Sequence, residues 1–274
     1  MTPIYYINLD RVPERRTFMD DQFAAQGLRA ERISAVDAFD NPQPAEYCPA
    51  GWLSRWSLTT SEVACFESHR VAWRAVRDGE APFGVIMEDD AILSAGFGDA
   101  LASLSEAGRL ADVIKLDGAN QPRRLGPVVD MGGVSLRPLI QTIGSAAAYA
   151  LSRESAARLE KRAARYCDHL DDFIFTPSRD WRPMQLTPAV AVQGMFIEDE
   201  ASDRADSVDN SERTSDTRIN ADDGRGPPLY RLSKELKRGG RKLGWKLWGD
   251  GRLIANGGLI GCPPLADDLG QYRR

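Results

Sequence analysis

The chain opens with a run of apolar, β-favouring residues, IYYINL at residues 4–9. A continuous apolar run of this length is typical of a strand buried on both faces. Pro13 follows, and since proline suits the first turn of a helix, we predict a helix from about Pro13 to Gln26 that ends at Gly27. RAERISAVD at residues 29–37 predicts a second strand. The resulting β-α-β order favours a parallel sheet.

Residues 40–58 break the pattern, because they are rich in proline and tryptophan and lack periodicity, so we predict a long loop. The next helix is predicted from a capping box, with Thr59 and Glu62 at the required spacing, to Gly79. One face of this helix carries four of its less polar positions, which are Cys65, His69, Ala72 and Val76.

Further strands are predicted at residues 83–87, at residues 112–118, through Tyr149 to Leu151, and at residues 184–194. A helix capped by Ser152 follows the third of these strands. The alternation of strands and helices predicts an α/β fold with a Rossmann-like, mostly parallel sheet flanked by helices.

Composition changes sharply late in the chain. Residues 198–223 hold ten acidic and three basic side chains, which favours a mobile linker or loop, whereas residues 225–249 hold eight basic and one acidic. We therefore expect a domain at 1–195, an acidic linker or loop at 196–224 and a basic, helical C-terminal extension at 225–274.

Residues 229–248 set leucines near one helical face, with Trp245 and Trp248 beside them and lysines and arginines elsewhere. That composition suits an interfacial helix on an anionic membrane leaflet. Gly239 and Gly240 interrupt the pattern, so two short helices are an alternative. Another alternative is a helix packed on the domain, paired with the acidic segment before it.

Overall composition is that of a soluble globular protein, 42% hydrophobic and 27% charged. A net charge of −5 argues against a general nucleic-acid binder. The sequence shows no apolar run near the roughly 20 residues that span a bilayer and no signal-peptide pattern. Four irregularly spaced cysteines and two histidines offer no zinc-site spacing. We expect a reduced, cytoplasmic environment, with the basic segment as a peripheral contact on the inner face of the cell membrane.

Three carboxylates, Glu88, Asp89 and Asp90, directly follow the apolar run GVIM. In open α/β sheets, ligands bind beyond the carboxyl ends of the strands. Because side chains alternate along an extended chain, Glu88 and Asp90 should share one face and Asp89 the other. A divalent cation, Mg²⁺ or Mn²⁺, would relieve the repulsion and implies a substrate with phosphates, such as a nucleotide sugar. The alternative is an acidic turn in which Asp90 caps a helix.

Asn8, Asp10 and Arg11 follow the first strand and should lie at the same edge of the sheet. An amide beside an arginine can hydrogen-bond a base or ribose and pair with a phosphate. The alternative is an asparagine in a turn and an arginine on the surface.

Seven blocks occur in order along residues 4–195: YYINLDRVPERR, ISAVDA, LTTSEVACFESHRVAW, VIMEDDAIL, IKLDG, GSAAAYALSRESAARL and LDDFIF. This series resembles glycosyltransferase family 25, which includes bacterial lipopolysaccharide sugar transferases and collagen galactosyltransferases. The resemblance implies a GT-A fold, a UDP-sugar donor, often UDP-galactose or UDP-glucose, and transfer with inversion to a β-linkage. The chain departs from the family in having AVDA where AVDG is usual, and in its loop at residues 40–58.

The resemblance also implies roles for individual residues. Glu88, Asp89 and Asp90 correspond to the motif that binds the metal and the diphosphate. The other matched positions are Asn8 and Arg11 at the donor site, Ser68 and His69 in a Ser-His pair, and Asp171 and Asp172 in a later acidic pair.

Inverting transfer needs a base for the acceptor hydroxyl, and we favour Asp171 over Asp172, because nearby apolar side chains would raise its pKa. The alternative is that both acids cap a short helix. His69 is either a core histidine or a residue that orients the acidic motif by a hydrogen bond. Asp117 either contacts hydroxyl groups of the donor sugar or serves a turn, and Gln193 is a weaker candidate for the site.

Two other functional classes remain open at this point. The acidic edge would also serve a metal-dependent phosphohydrolase or nucleotidyltransferase. A catalytically silent nucleotide-binding module is the third alternative.

Overall fold

The computed structural model describes residues 2–48, 58–107, 111–197, 232–233, 235–236, 244–245 and 249–273. Strand β1 (Ile4–Asn8) pairs in parallel with β2 (Ala30–Ser34) on one side and with β3 (Phe83–Glu88) on the other. Helix α1 (Pro13–Ala25) lies between β1 and β2 in the chain, and α2 (Thr60–Asp78) lies between β2 and β3. The strand order therefore reverses at β1, and the carboxyl ends of β1 and β3 flank the reversal, where ligands of α/β sheets bind.

The main sheet has eight strands in the order β2-β1-β3-β10-β5-β11-β9-β8. Its later members are β5 (Val113–Lys115), β8 (Val129–Asp130), β9 (Ser135–Pro138), β10 (Ala148–Ser152) and β11 (Pro183–Thr187). β9 and β10 run against the other six strands. The remaining long helices are α3 (Phe97–Ala107) and α4 (Arg153–Arg162), and α5 (Leu170–Phe175) is short. The expected α/β fold with a mostly parallel sheet is confirmed.

Each face of the sheet carries its own hydrophobic core, because successive residues of β1 point to opposite faces. Tyr5 and Ile7 pack with residues of α2, α4 and α5. Ile4 and Tyr6 pack with residues of α1 and α3. The helices therefore form a layer on either side of the sheet. The direction of each acidic side chain at the end of β3 decides which of the two layers it contacts.

Two predicted strands are each divided in the structure. The segment 112–118 forms β5 and then β6 (Asp117–Gly118), and the segment 184–194 forms β11 and then β12 (Ala191–Gln193). At the breaks, the carbonyl of Leu116 accepts hydrogen bonds from the backbone N–H groups of Val190 and Ala191, and both segments continue into a second sheet. That sheet has the order β4-β12-β6, with β4 at Ala91–Leu93, and it extends from the carboxyl ends of β3, β5 and β11.

Residues 249–273 pack on the same body as the N-terminal residues. They form helix α6 (Asp250–Ala255) and β13 (Leu259–Gly261), which pairs with β7 (Arg123–Leu125). Asp268 accepts hydrogen bonds from the Ser94 hydroxyl at 2.8 Å and from the backbone N–H of Ala95 at 2.6 Å. The end of the expected C-terminal extension is thus joined to the first domain by a strand pair and side-chain contacts.

Residues 198–224 of the expected acidic linker and most of the basic segment at 229–248 lie outside the described residues, as do residues 49–57 of the predicted loop. Ile197, within the expected linker, is buried in the structure. Among the described residues, no helix combines the length and the apolar composition needed to span a bilayer.

Candidate active site

The three acids after β3 point in alternating directions. Asp89 faces α1, where it accepts hydrogen bonds from Asn8 Nδ2 at 2.7 Å and from Arg15 Nη1 at 3.1 Å. Burial raises the pKa of Asp89, and the charge of Arg15 opposes that rise. Asp89 is therefore anchored inside the protein and joins the end of β1 to α1.

Glu88 and Asp90 share the other side, as the alternation predicts. Gln193 Nε2, at the end of β12, donates to Asp90 Oδ2 at 2.8 Å and to Glu88 Oε2 at 3.3 Å. The second oxygen of Asp90, Oδ1, is buried and has no hydrogen-bond partner within the described part of the chain. Burial, together with the charges of Glu88 and Asp89, raises the pKa of Asp90 to about 7. A strand follows Asp90, so the alternative in which it caps a helix is excluded.

Asp171 reaches this acidic pair through the loop before β10. Its Oδ2 accepts a hydrogen bond from the backbone N–H of Ser145 at 2.9 Å, and the Ser145 hydroxyl lies 3.4 Å from Gln193 Oε1. Burial raises the pKa of Asp171 to about 6; the charge of Lys115 opposes this and that of Glu88 adds to it. Ser145 adopts a left-handed backbone conformation (φ 69°), which lets its N–H and its hydroxyl reach two acids.

Asp172, the next residue of α5, faces away from these acids. It lines a separate cavity with Arg158, Arg162 and Trp181. The helix thus places Asp172 at this cavity and Asp171 in the network at the carboxyl edge.

Asp117 requires a correction to the expected contact with a donor sugar. Its side chain is fully buried, and both carboxylate oxygens lie 2.7 Å from Lys115 Nζ. The Ser145 hydroxyl donates to it at 2.6 Å. Burial raises the pKa of Asp117, and Lys115 opposes the rise. Since no part of this side chain is open to a ligand, its role is to hold Lys115 and Ser145 in place.

Arg11 and Asn8 occupy different environments at the end of β1. Asn8 is buried and tied to Arg32 as well as to Asp89. Arg11 is partly exposed, pairs with Asp37 at 2.7 Å and lies 4.5 Å above the ring of Phe39. Phe39 is 78% exposed, so a cation and an open aromatic ring stand together just beyond β2.

Ser68 and His69 connect α2 to two different loops. The Ser68 hydroxyl accepts a hydrogen bond from the backbone N–H of Val36 at 2.8 Å. His69 is buried, with Nδ1 2.8 Å from the Tyr149 hydroxyl and Nε2 3.3 Å from Glu88 Oε1. The pair therefore fixes the loop after β2 and the first of the three acids.

The side chains that complete the network lie within the blocks that resemble family 25, but the sequence analysis did not single them out. Arg15 has a signal, because an arginine one turn into the helix after β1 can return to the edge of the sheet. Lys115 pairs with Asp117 two positions along the chain, whereas the contacts of Ser145 and Tyr149 depend on which distant helix lies beside them.

The site can be tested for its fit to a divalent cation. The unpartnered Asp90 Oδ1, beside Glu88, offers the oxygen donors that Mg²⁺ and Mn²⁺ prefer. Cys65, His69 and Glu88 form a second, mixed group whose ligand atoms lie within 4.8 Å of one another. The oxygen-rich pair fits the hard cation expected from the sequence.

Comparison with known proteins identifies the segment that carries most of these groups. A protein-family model described as glycosyltransferase family 25 (LPS biosynthesis protein) matches residues 1–125. Residues 1–125 match glycosyltransferase family 25. The expected resemblance is confirmed over this part of the chain. The family 25 segment contains Asn8, His69, the three acids and Asp117, whereas Asp171 and Gln193 lie beyond it.

Curated relatives match the chain over about a third of its length. A glycosyltransferase 25 family member of Drosophila pseudoobscura pseudoobscura is 33% identical over 95 residues, which is 32% of this chain and 15% of the relative. The lacto-N-neotetraose biosynthesis glycosyltransferase LgtB of Neisseria meningitidis serogroup A is 31% identical over 94 residues, 34% of this chain and 33% of the relative. The matched segment thus spans a third or less of each of these relatives.

Solved structures with a similar arrangement are distant. A mannose-1-phosphate geranyltransferase of Thermus thermophilus aligns with a TM-score of 0.40 at 11% identity, over 67% of this chain and 73% of the other. HddC of Yersinia pseudotuberculosis aligns with a TM-score of 0.36 at 11% identity, over 70% of this chain and 93% of the other.

Proposed function

We propose that the protein is an inverting glycosyltransferase that moves a hexose, galactose or glucose, from a UDP-sugar to a glycan acceptor in the synthesis of lipopolysaccharide or another surface polysaccharide. The observation that carries the proposal is the unpartnered, buried Asp90 Oδ1 at the β1/β3 reversal of the sheet, within a segment that matches family 25. Buried carboxylate oxygens without partners are costly, and a bound cation would satisfy this one.

Glu88 and Asp90 are the residues that would hold the cation, Mn²⁺ or Mg²⁺. When bound, such an ion stabilises the negative charge that develops on a leaving diphosphate. Asp89 supports the site without binding the ion, because Asn8 and Arg15 already engage its two oxygens. Gln193 bridges Glu88 and Asp90 by donating to one oxygen of each.

Asp171 is the proposed base. The acceptor oxygen bonds to the anomeric carbon while its proton passes to the Asp171 carboxylate, and the bond from that carbon to the diphosphate oxygen breaks with its electron pair leaving on UDP. Burial raises the pKa of Asp171 to about 6, which suits a base that works near neutral pH. Asp172 has no part in this step, because it faces the cavity lined by Arg158 and Trp181.

Arg11 and Phe39 are proposed to receive the nucleotide part of the donor. A base can stack on an exposed aromatic ring, and a guanidinium can pair with a phosphate. Phe39 keeps 78% of its surface exposed and is held beside Arg11 at the edge of the sheet.

The experiment that tests the function is a panel of nucleotide sugars, each with and without Mn²⁺, followed by thermal shift and by release of free nucleotide. We expect UDP-hexoses to stabilise the protein and GDP- and CMP-sugars not to. Asp90→Asn and Asp171→Asn should each abolish transfer, whereas Asp21→Asn on the exposed side of α1 should not. Full transfer by either site variant would overturn the assignment.

The same panel separates the other functional classes. Phosphate or pyrophosphate release that needs no sugar acceptor would indicate a phosphohydrolase or nucleotidyltransferase. Binding of UDP-sugars without turnover under every condition would indicate a nucleotide-binding module.

We further propose a cytoplasmic location with peripheral contact of residues 229–248 with an anionic membrane, which would bring the enzyme to a lipid-linked acceptor. The support is the run of lysines and arginines in that segment and the exposure of Leu232 and Leu236.

A further inference from the structure

We propose that His69 is a positioning residue: a chain of hydrogen bonds from Trp73 through Tyr149 fixes its ring so that Nε2–H donates to Glu88. The positioning role rests on the proposed function, because Glu88 is one of the two acids assigned to the cation. The hydrogen-bond chain itself does not depend on it.

The hydrogen-bond chain lies inside the hydrophobic core and links Trp73 to Tyr149 and Tyr149 to His69. Trp73 Nε1 lies 2.8 Å from the Tyr149 hydroxyl oxygen, which lies 2.8 Å from His69 Nδ1. Trp73 and Tyr149 are completely buried, and His69 is 1% exposed. The Phe175 ring packs edge-on against Tyr149, so the phenol is held between α2, β10 and α5.

The positions of the donors support one direction for each bond. An indole N–H can only donate, so the Tyr149 oxygen accepts from Trp73. In the proposed arrangement the phenol hydrogen is donated to His69 Nδ1, which carries no proton itself. When Nδ1 accepts, the ring N–H is on Nε2, and this nitrogen faces Glu88 Oε1 at 3.3 Å.

The result is a carboxylate held from two sides. His69 Nε2–H approaches Oε1 of Glu88, and Gln193 Nε2 approaches Oε2, also at 3.3 Å. One donor comes from α2 and the other from the small sheet, so Glu88 cannot rotate without losing a bond to one of them. This direction also argues against a metal ion bound by Cys65, His69 and Glu88, since a ligating Nε2 would have to carry no proton.

The direct test is nitrogen NMR on protein with ¹⁵N-labelled histidine rings. The chain has only two histidines, and His169→Gln assigns the signals. We expect His69 to show a protonated Nε2 and an unprotonated Nδ1. Tyr149→Phe removes the hydroxyl and keeps the ring, so the His69 signals should change toward a mixture of tautomers. A protonated Nδ1 in the wild type, or signals unaltered by Tyr149→Phe, would overturn the proposal.

A kinetic arm separates positioning from packing. His69→Gln retains a side-chain N–H that can reach Glu88, whereas His69→Leu has similar bulk and no donor. We expect His69→Leu to lower kcat about 10-fold to 100-fold, as for other residues that orient metal-binding groups, with His69→Gln recovering most of the loss at similar thermal stability. Equal rates for the two variants would contradict the role. The expected tautomer without any sugar transfer would instead contradict the proposed function and leave the hydrogen-bond chain standing.

Discussion

At the scale of single residues, neighbouring acids of one sequence motif have different environments because the strand turns each toward a different layer. Asp89 accepts hydrogen bonds from the Arg15 guanidinium and the Asn8 amide, whereas Asp90 has one buried oxygen without a hydrogen-bond partner among the described residues. A buried carboxylate that loses its cationic partner is strongly destabilised, whereas an exposed pair contributes little. This difference can be measured on α1.

Arg15→Leu should lower the free energy of unfolding by roughly 1–3 kcal/mol, because Asp89 then remains buried with Asn8 as its donor. Arg16→Leu on the same helix is the matched control; it removes an exposed pair with Asp20 at 3.6 Å and should cost less than about 0.5 kcal/mol. Urea unfolding followed by circular dichroism would measure both. Equal losses would show that the Arg15–Asp89 pair has no special role.

Phe39→Ala should weaken UDP binding about tenfold, since stacking of a base on an aromatic ring contributes about 1–3 kcal/mol. Binding of inorganic pyrophosphate, which has no base, should not change. Val128→Ala is the control, because Val128 is also an exposed apolar residue, on a different part of the surface. Calorimetric titration of both ligands gives the comparison, and an equal weakening for UDP and pyrophosphate would contradict a stacking role.

The sequence was sufficient for the alternation of Glu88, Asp89 and Asp90, since that depends only on strand geometry. It was also sufficient for the placement of Asn8 at the same edge. It could not place Ser145 or Tyr149, whose contacts are with residues 26 and 80 positions away in the chain. Their roles follow from the packing of α5 and α2 beside them, which local patterns do not determine.

At the scale of elements, α2 organises the site. Its capping box forms as predicted, with Thr59 and Glu62 each bonding to the other's backbone N–H. Glu62 also pairs with His169 at 3.1 Å, just before α5, so the start of α2 is linked to the helix that carries Asp171. The sequence predicts single strands at 112–118 and at 184–194. In the structure each segment is divided between the main sheet and the second sheet, which neither local pattern indicates.

This pair predicts a pH-dependent stability. Glu62 raises the pKa of His169 above its usual 6.5, so the stabilisation is fully present below pH 6.5 and is lost as pH rises through the raised value. The pKa of Glu62 is lowered, and its stabilisation is lost only as pH falls through that lowered value. His169→Gln should therefore lower Tm more at pH 5.5 than at pH 8.5. A difference in Tm that is the same at both pH values would contradict the prediction.

At the scale of the whole molecule, the charge distribution and the packing of the C-terminal residues on the domain decide how the proposed membrane contact can be tested. Because residues 250–273 pack on the domain, a truncation after Gly224 would also remove β13 and its pairing with β7. Substitution within the basic segment is therefore the better design.

Changing Lys234, Lys237 and Arg238 to glutamate should abolish co-sedimentation with vesicles that contain anionic lipid, since each basic residue near such a surface contributes about 1 kcal/mol. The wild type should bind these vesicles and should not bind neutral ones. The matched control changes three exposed side chains of the domain, Arg16, Arg29 and Arg153, to glutamate. Loss of binding in the control alone would place the contact elsewhere.

The packing of the C-terminal residues on the domain also sets an order of events during protein synthesis. The contact between Asp268 and Ser94 joins residues 174 positions apart. Such long-range contacts form late, because the intervening chain must first be brought together. While residue 268 is still within the ribosome, the nascent polypeptide exposes the apolar surface of Ile92 and Val192 that Leu269 later covers. This apolar surface should therefore stay uncovered until after the carboxyl edge of the sheet has been translated.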